Sequence, residues 1–194
     1  MKSICKSDFF DKETFTNIKN FALENINDQE EVQYSKTFRR YYKIVFLPDK
    51  IKNMLLDVAK KETQDKDLEI IYTQVVRYQI YDGFIPELRD HKDSANGEWV
   101  MDIVIDSTVD WPLIIEGQSF SNTENSVFFI KGEDDAHSRP DFPSQSEEDY
   151  VLLLFVHLAN KNTNYAKMSR EVDAMDEKSR KALLKAVIPS WSGY

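Results

Sequence analysis

The apolar residues in the first third of the chain recur at helical spacing. Phe15, Ile18, Ala22 and Ile26 follow one another at steps of three and four residues, which places them on one face of a helix. Pro48 is well suited to the first turn of a second helix. The apolar face of that helix would be formed by Ile51, Met54, Leu55, Val58 and Ala59.

The pattern changes at Leu68, from where short apolar runs are rich in β-branched and aromatic residues, as is typical of strands. These runs are LEIIYTQVVRYQIY, WVMDIVI, PLIIEGQSF, NSVFFIKG and YVLLLFVHLA, and the earlier run YYKIVFLP has the same character. The turn-prone segments SANGE, DSTVDWP, SNTEN and PDFPSQSEED separate the later runs. Several short strands at such spacing predict an antiparallel sandwich or barrel.

The end of the chain returns to a helical pattern. Asp176 is a suitable N-cap for a helix through DEKSRKALLKAV, which would stop before Pro189. No repeat, low-complexity tract or linker is evident. We therefore predict one α+β domain with a mainly β core over residues 1–194. It would have a helical lead-in over about 1–66, a β core over about 67–160 and a helical tail over 161–194.

Composition narrows the class of protein. The 194 residues are 41% hydrophobic, 12% aromatic and 30% charged, which is ordinary for a globular domain. No apolar run approaches the length of a membrane span, and the N-terminus lacks the apolar stretch of a signal peptide. A single cysteine, Cys5, excludes an internal disulfide and suits a reducing compartment. We expect a cytoplasmic protein that does not bind membranes.

The net charge of −9 argues against a broad nucleic-acid interface, which needs clustered basic side chains. One basic segment exists, KTFRRYYK at Lys36 to Lys43, with aromatic residues interleaved. Its basic side chains would either face water on a strand or anchor an anionic or peptide substrate. The sequence leaves both interpretations open.

The three histidines are the candidates for metal chemistry. His91 and Asp93 form a His-x-Asp pair, and residues i and i+2 of an extended segment point to the same side. His137 opens a polar loop after the run SVFFIKG, whereas His157 lies inside an apolar strand, where packing is the simpler role. Two histidines and one carboxylate would occupy one face of an octahedral iron(II). A closed structural zinc site would require four ligands, usually with more cysteine.

From about Tyr72 to Ala159, a little under half of the chain, the order of these pieces resembles the 2-oxoglutarate- and iron(II)-dependent oxygenases, in the prolyl-hydroxylase-like layout. The matching pieces are VVRYQIYDG, HKD, WVMDIVIDS, WPLIIEGQSF, VFFIKGEDDAH and YVLLLFVHLA. The resemblance implies a double-stranded β-helix, a jelly-roll of the cupin-like kind, with the N-terminal helices packed on the sheet. It also implies iron(II) held by His91, Asp93 and His137, with 2-oxoglutarate as cosubstrate and O2 consumed.

By the same resemblance, the carboxylate at Asp93 indicates hydroxylation, since related halogenases have a small residue there. The substrate would be an amino acid, a peptide or a small metabolite, and the oligomeric state is not indicated. The alternative is a non-catalytic β-barrel binding module that has lost 2-oxoglutarate binding.

One departure from the family pattern concerns the cosubstrate. Family members usually hold the distal carboxylate of 2-oxoglutarate with a basic residue at the start of the final strand, where this chain has the acidic segment SEEDY. Arg139, two residues after His137, is our first candidate to replace that base, and Arg77 is the second. Tyr78 could add a hydroxyl donor.

Overall fold

The computed structural model describes residues 3–93, 98–176, 178–180 and 182. The helices are α1 (Lys12–Ile26), α2 (Asp49–Thr63) and α3 (Asn164–Asp173). The strands are β1 (Ile4–Lys6), β2 (Gln33–Ser35), β3 (Arg40–Ile44), β4 (Leu68–Gln79), β5 (Leu88–His91), β6 (Trp99–Ser107), β7 (Leu113–Ile115), β8 (Gln118–Phe120), β9 (Val127–Ile130), β10 (His137–Arg139) and β11 (Tyr150–Asn160).

Two antiparallel sheets face each other. The larger sheet has seven strands in the order β1-β9-β6-β11-β4-β3-β2, and the smaller has four in the order β5-β10-β7-β8. The strands from β4 to β11 form the eight-stranded double-stranded β-helix, and β1, β2 and β3 extend its larger sheet. The predicted fold class is therefore confirmed.

Each face of the larger sheet covers its own hydrophobic core, because successive side chains of a strand point to opposite faces. On the outer face, α1 and α2 pack through Ile18, Ala22 and Leu55, all fully buried. The inner face encloses a second core between the two sheets, with Tyr78 and Trp111 as its largest fully buried side chains. The inner core is the one that bears on function.

Local signals explain where the helices begin. The carboxylate of Asp11 accepts a hydrogen bond from the backbone N–H of Thr14 at 2.9 Å, which caps the start of α1. Pro48 lies directly before the first residue of α2, at the N-cap position. It therefore marks the start of this helix, whereas the sequence prediction placed it in the first turn. The predicted apolar positions of α1, including Phe15 and Ile26, are all buried.

Three details differ from the sequence prediction. The lead-in contains β1 and β2 in addition to β3, the strand that the run YYKIVFLP predicts. The run PLIIEGQSF is a hairpin of β7 and β8 rather than one strand, because Glu116 and Gly117 both have positive φ angles, 48° and 78°. That pair of angles suits the tight two-residue turns whose twist matches a hairpin. His137 begins a short strand, β10, where a polar loop was expected.

The predicted C-terminal helix lies largely outside the described residues. Its predicted N-cap is described: the side chain of Asp176 accepts a hydrogen bond from the backbone N–H of Ser179 at 3.0 Å. The predicted tail also contains α3, which packs on β4 and β11. Within the described part of the chain, no helix combines the length and apolar character needed to cross a membrane.

Candidate metal centre

His91, Asp93 and His137 converge at one end of the smaller sheet. His91 and His137 are direct partners in the pairing of β5 with β10, and their ring centroids are 4.2 Å apart. Oδ1 of Asp93 lies 3.7 Å from Nε2 of each histidine. One ligand atom from each residue lies within 4.8 Å of the other two. The structure thus brings together the three residues that the sequence proposed as a set.

Both imidazole rings are oriented by their second nitrogen. Nδ1 of His91 lies 2.8 Å from the carbonyl oxygen of Arg89, and Nδ1 of His137 lies 3.2 Å from that of Asp135. Because a carbonyl oxygen can only accept, Nδ1 of a neutral ring must carry the proton, which leaves a lone pair on Nε2. Such backbone contacts are the usual means of fixing metal-binding histidines.

The environment favours the neutral, ligand-competent form of His91. Burial lowers the pKa of His91, and the neighbouring His137 lowers it further. The backbone N–H of Asp93 donates to the carbonyl of Gly132 at 2.9 Å, so the segment after β9 holds the backbone of Asp93 in place.

The donor set fits iron(II). Two imidazole nitrogens and one carboxylate oxygen from one side match the facial triad of non-haem iron sites, with the other coordination positions left open. The side chains of His91 and Asp93 are 14% and 28% exposed, so small ligands can reach the cluster from the barrel mouth. In the described part of the chain the cluster has three ligands, one fewer than a structural zinc site requires.

The interior beyond the cluster holds buried polar atoms that have no hydrogen-bond partner among the described residues. They are Oε1 of Gln74, Oδ1 of Asp102, Nη2 of Arg139 and Nε of Arg40. Gln74, Asp102 and Arg139 are only 5%, 5% and 6% exposed. Unpaired buried polar groups are rare and costly, so a polar ligand or water that bonded to these atoms would be stabilised by them.

These polar residues lie on neighbouring rows of the inner face. Gln74 and Asp102 are both register partners of Phe155, one on either side of it. The next row toward the metal cluster holds Tyr72 and His157, whose rings stack at 3.9 Å. Burial raises the pKa of Asp102 to about 7, an effect that the charges of Arg139 and Arg40 oppose.

Arg139 and Arg77 occupy different environments. Arg139 points into the barrel, donates to the backbone carbonyl of Trp111 and lies 5.1 Å from the centroid of that ring. Burial lowers its pKa. Arg77 lies on the opposite face of β4 from Tyr78 and stacks over Tyr150, so it faces the helices and not the metal cluster.

Arg40 is the interior residue whose role sequence reasoning left undecided. The sequence favours a strand whose basic side chains face water. The guanidinium carbon of Arg40 instead lies 5.6 Å from the ring centroid of Tyr78 and 5.4 Å from that of Phe155, both in the barrel. Alternation along the basic segment would have separated Arg40 from Arg39, but only the pairing of β3 with β4 shows which of the two faces inward.

The acidic segment before the final strand does not place charge in the barrel. Glu147 and Glu148 are exposed, and Asp149 accepts a hydrogen bond from the hydroxyl of Ser144 at 2.5 Å. Val151 is the first residue of β11 that packs in the inner core. The start of the final strand is therefore apolar on its inner side.

No protein-family model matches the sequence, and no curated protein matches it. Solved structures do match its fold. The non-heme alpha ketoglutarate dependent epimerase SnoN from nogalamycin biosynthesis is 9% identical, with a TM-score of 0.62 over 81% of this chain and 78% of that one. A Pseudomonas putida prolyl-4-hydroxylase is 9% identical, with a TM-score of 0.60 over 82% and 92%. EctD from S. alaskensis is 11% identical, with a TM-score of 0.59 over 82% and 73%.

At such low identity these neighbours establish the fold. The chain has the double-stranded β-helix of the 2-oxoglutarate- and iron(II)-dependent oxygenases, as the sequence resemblance implied. Within that fold it carries a possible His-Asp-His metal triad.

Proposed function

We propose that this protein is an iron(II)- and 2-oxoglutarate-dependent oxygenase that hydroxylates a small molecule, an amino acid or a peptide. The convergence of His91, Asp93 and His137 in this fold is the observation that carries the proposal. When bound, iron(II) and 2-oxoglutarate supply the oxidation of a substrate C–H bond by O2 to C–OH, with 2-oxoglutarate converted to succinate and CO2.

The protein's own residues bind, orient and shield. His91 and His137 present Nε2, and Asp93 presents Oδ1, toward one point. Each imidazole ring is held through Nδ1 by a backbone carbonyl, and the backbone N–H of Asp93 is held by the carbonyl of Gly132. The carboxylate of Asp93 would occupy a coordination position and so favour hydroxylation. The barrel interior, lined by aromatic residues and buried polar groups, would hold 2-oxoglutarate away from bulk water.

The distal carboxylate of 2-oxoglutarate requires a cation. Arg139 and Arg40 are the two guanidinium groups that face the barrel interior with an unpaired nitrogen among the described residues. Tyr78, 1% exposed, lies beside Arg40 and could add a hydroxyl donor. The structures of SnoN with Fe3+ and alpha ketoglutarate, and of EctD with bound Fe, support the choice of these two ligands.

The test measures metal binding and turnover separately. Wild-type protein is expected to bind one iron(II) ion in the absence of oxygen. With O2 and ascorbate added, the iron-loaded protein should form succinate from 2-oxoglutarate. His91→Ala and Asp93→Ala should lose both properties while keeping the fold by circular dichroism. His157→Ala is the matched control, because it removes an imidazole outside the cluster.

Two results would count against the proposal in different ways. Unchanged iron affinity in His91→Ala and Asp93→Ala would show that the metal site is elsewhere. Wild-type protein that binds iron but neither binds nor consumes 2-oxoglutarate would support the alternative, a β-barrel binding module without catalysis.

A further inference from the structure

The cation for the distal carboxylate has to come from outside the final strand. The inner position at the start of β11 is Val151, and the neighbouring acids Glu147 and Glu148 are exposed. A carboxylate buried in the barrel without a positive partner would be strongly unfavourable. A barrel that takes 2-oxoglutarate must therefore supply that charge from another strand.

Arg40 reaches this place from two strands away. In the pairing of β3 with β4, Tyr41 is opposite Arg77, which places Arg40 next to Tyr78. In the pairing of β4 with β11, Tyr78 is opposite Val151. Two strand spacings correspond to roughly 10 Å between backbones. The arginine side chain covers much of that distance, since its guanidinium carbon lies 5.4 Å from the ring centroid of Phe155, a residue of β11.

The donors of Arg40 are arranged for a carboxylate. Nη1 donates to the hydroxyl oxygen of Tyr78 at 2.8 Å, which leaves the proton of that hydroxyl for another acceptor. Nε of Arg40 is buried and has no hydrogen-bond partner among the described residues. Its N–H and the O–H of Tyr78 are therefore two neighbouring donors, which two carboxylate oxygens could accept.

Arg139 is less available for this role. One of its terminal nitrogens is committed to the backbone carbonyl of Trp111, and its guanidinium lies against the Trp111 ring. The guanidinium carbon of Arg40, in contrast, lies 5.6 Å from the ring centroid of Tyr78 and 5.4 Å from that of Phe155, both in the inner core. Arg40 thus points into the barrel interior between the two sheets.

We propose that Arg40, on a strand outside the eight-stranded barrel, receives the distal carboxylate of 2-oxoglutarate together with Tyr78 and replaces the base absent from the start of β11. The proposal rests on the proposed function. It also implies that cosubstrate binding stabilises the β2–β3 hairpin, because Arg40 belongs to that hairpin and would gain a buried, charge-assisted contact.

The experiment compares two ligands on protein loaded with manganese(II), which needs no turnover. 2-Oxoglutarate and 2-oxopentanoate share the chelating keto-acid end and five carbons, but the second lacks the distal carboxylate. Wild-type protein should bind 2-oxoglutarate roughly 30-fold or more tightly than 2-oxopentanoate, the scale of losing one partner of a buried charged pair. Arg40→Gln should remove this preference and leave the affinities for 2-oxopentanoate and manganese(II) unchanged.

Arg39→Gln is the matched control. Arg39 precedes Arg40 but forms an ion pair with Glu87 at 3.0 Å, its side chain being 37% exposed. This variant should keep the full preference for 2-oxoglutarate. A preference retained in Arg40→Gln and lost in Arg139→Gln would overturn the proposal in favour of Arg139. Failure of the wild type to bind either keto acid would instead overturn the proposed function.

A measurement on the wild type covers the case in which Arg40→Gln does not fold. Backbone amides of 40–44 should exchange with solvent more slowly when 2-oxoglutarate is added than when 2-oxopentanoate is added, both at saturation. Equal exchange with the two ligands would refute the role of Arg40.

Discussion

Asp102 provides a pH-dependent test of the barrel interior. Its carboxyl is 5% exposed, its Oδ1 has no hydrogen-bond partner among the described residues, and burial raises its pKa to about 7. The same carboxyl in an unfolded chain has a pKa of about 3.9. Between these values the folded protein holds a proton that the unfolded chain has lost, so stability must fall as the pH rises from about 4 to about 7.

The size of this effect follows from the difference in pKa. A difference of about 3 units, at ~1.36 kcal/mol per unit, corresponds to about 4 kcal/mol. The carboxyl is protonated in both states below about pH 4, and this part of the stability is present in full. Above about pH 7 the carboxyl is ionised in both states, and the whole amount has been lost.

Asp102→Asn removes the ionisation and keeps the shape of the side chain. Metal-free wild type and variant should be unfolded with urea at intervals from pH 4 to pH 8.5, followed by tryptophan fluorescence. We expect similar free energies of unfolding near pH 4 and a variant more stable by about 4 kcal/mol above pH 7.5. A difference between the two proteins that does not change with pH would refute the argument, because it would mean that Asp102 does not titrate on folding in this range.

Three further outcomes are expected. His157→Ala should lose roughly 1–3 kcal/mol of stability, because the ring of His157 stacks on Tyr72 at 3.9 Å. In equilibrium dialysis this variant should bind metal as tightly as the wild type, and weaker metal binding would contradict the assignment. Arg77→Gln should leave the affinity for 2-oxoglutarate unchanged in calorimetry, because Arg77 stacks over Tyr150 on the outer face; a weakened affinity would place it in the site. Leu154→Ala, at a fully buried position, should cost about 3 kcal/mol in urea unfolding, and a loss under 1 kcal/mol would contradict the packing described.

The helices and the metal cluster could be predicted because their signals are local or ordered along the chain. The buried positions of α1 are those that the spacing of Phe15 to Ile26 indicates. His91 and Asp93 point to one side because they are two residues apart in an extended segment. His137 is favoured by its place after an apolar run and by the resemblance to a family layout, because no local pattern brings residues 46 positions apart into one β-pairing.

The features that escaped prediction depend on tertiary pairing. β1 has three residues and exists because Cys5 and its neighbours pair with β9, which no short-range signal indicates. The inward direction of Arg40 depends on the register of β3 against β4, and a shift of one residue would have sent Arg39 into the barrel instead. The spacing of residues in the sequence shows that side chains alternate between the two faces of a strand. Pairing with the neighbouring strand decides which of those faces is buried.

The charges in the barrel suggest a reason for burying so many polar groups. Two guanidinium groups, Arg40 and Arg139, share the interior with two carboxyl groups, Asp93 and Asp102, so the interior is close to neutral when Asp102 is ionised. On the proposed function, iron(II) alone would add two positive charges, and the dianion 2-oxoglutarate would cancel them. Charge imbalance in a low-dielectric interior is costly, and each ligand therefore favours binding of the other. Nε of Arg40 and Nη2 of Arg139, which have no hydrogen-bond partner in the part of the chain that the structure describes, are consistent with a barrel whose hydrogen bonding is completed when a ligand is present.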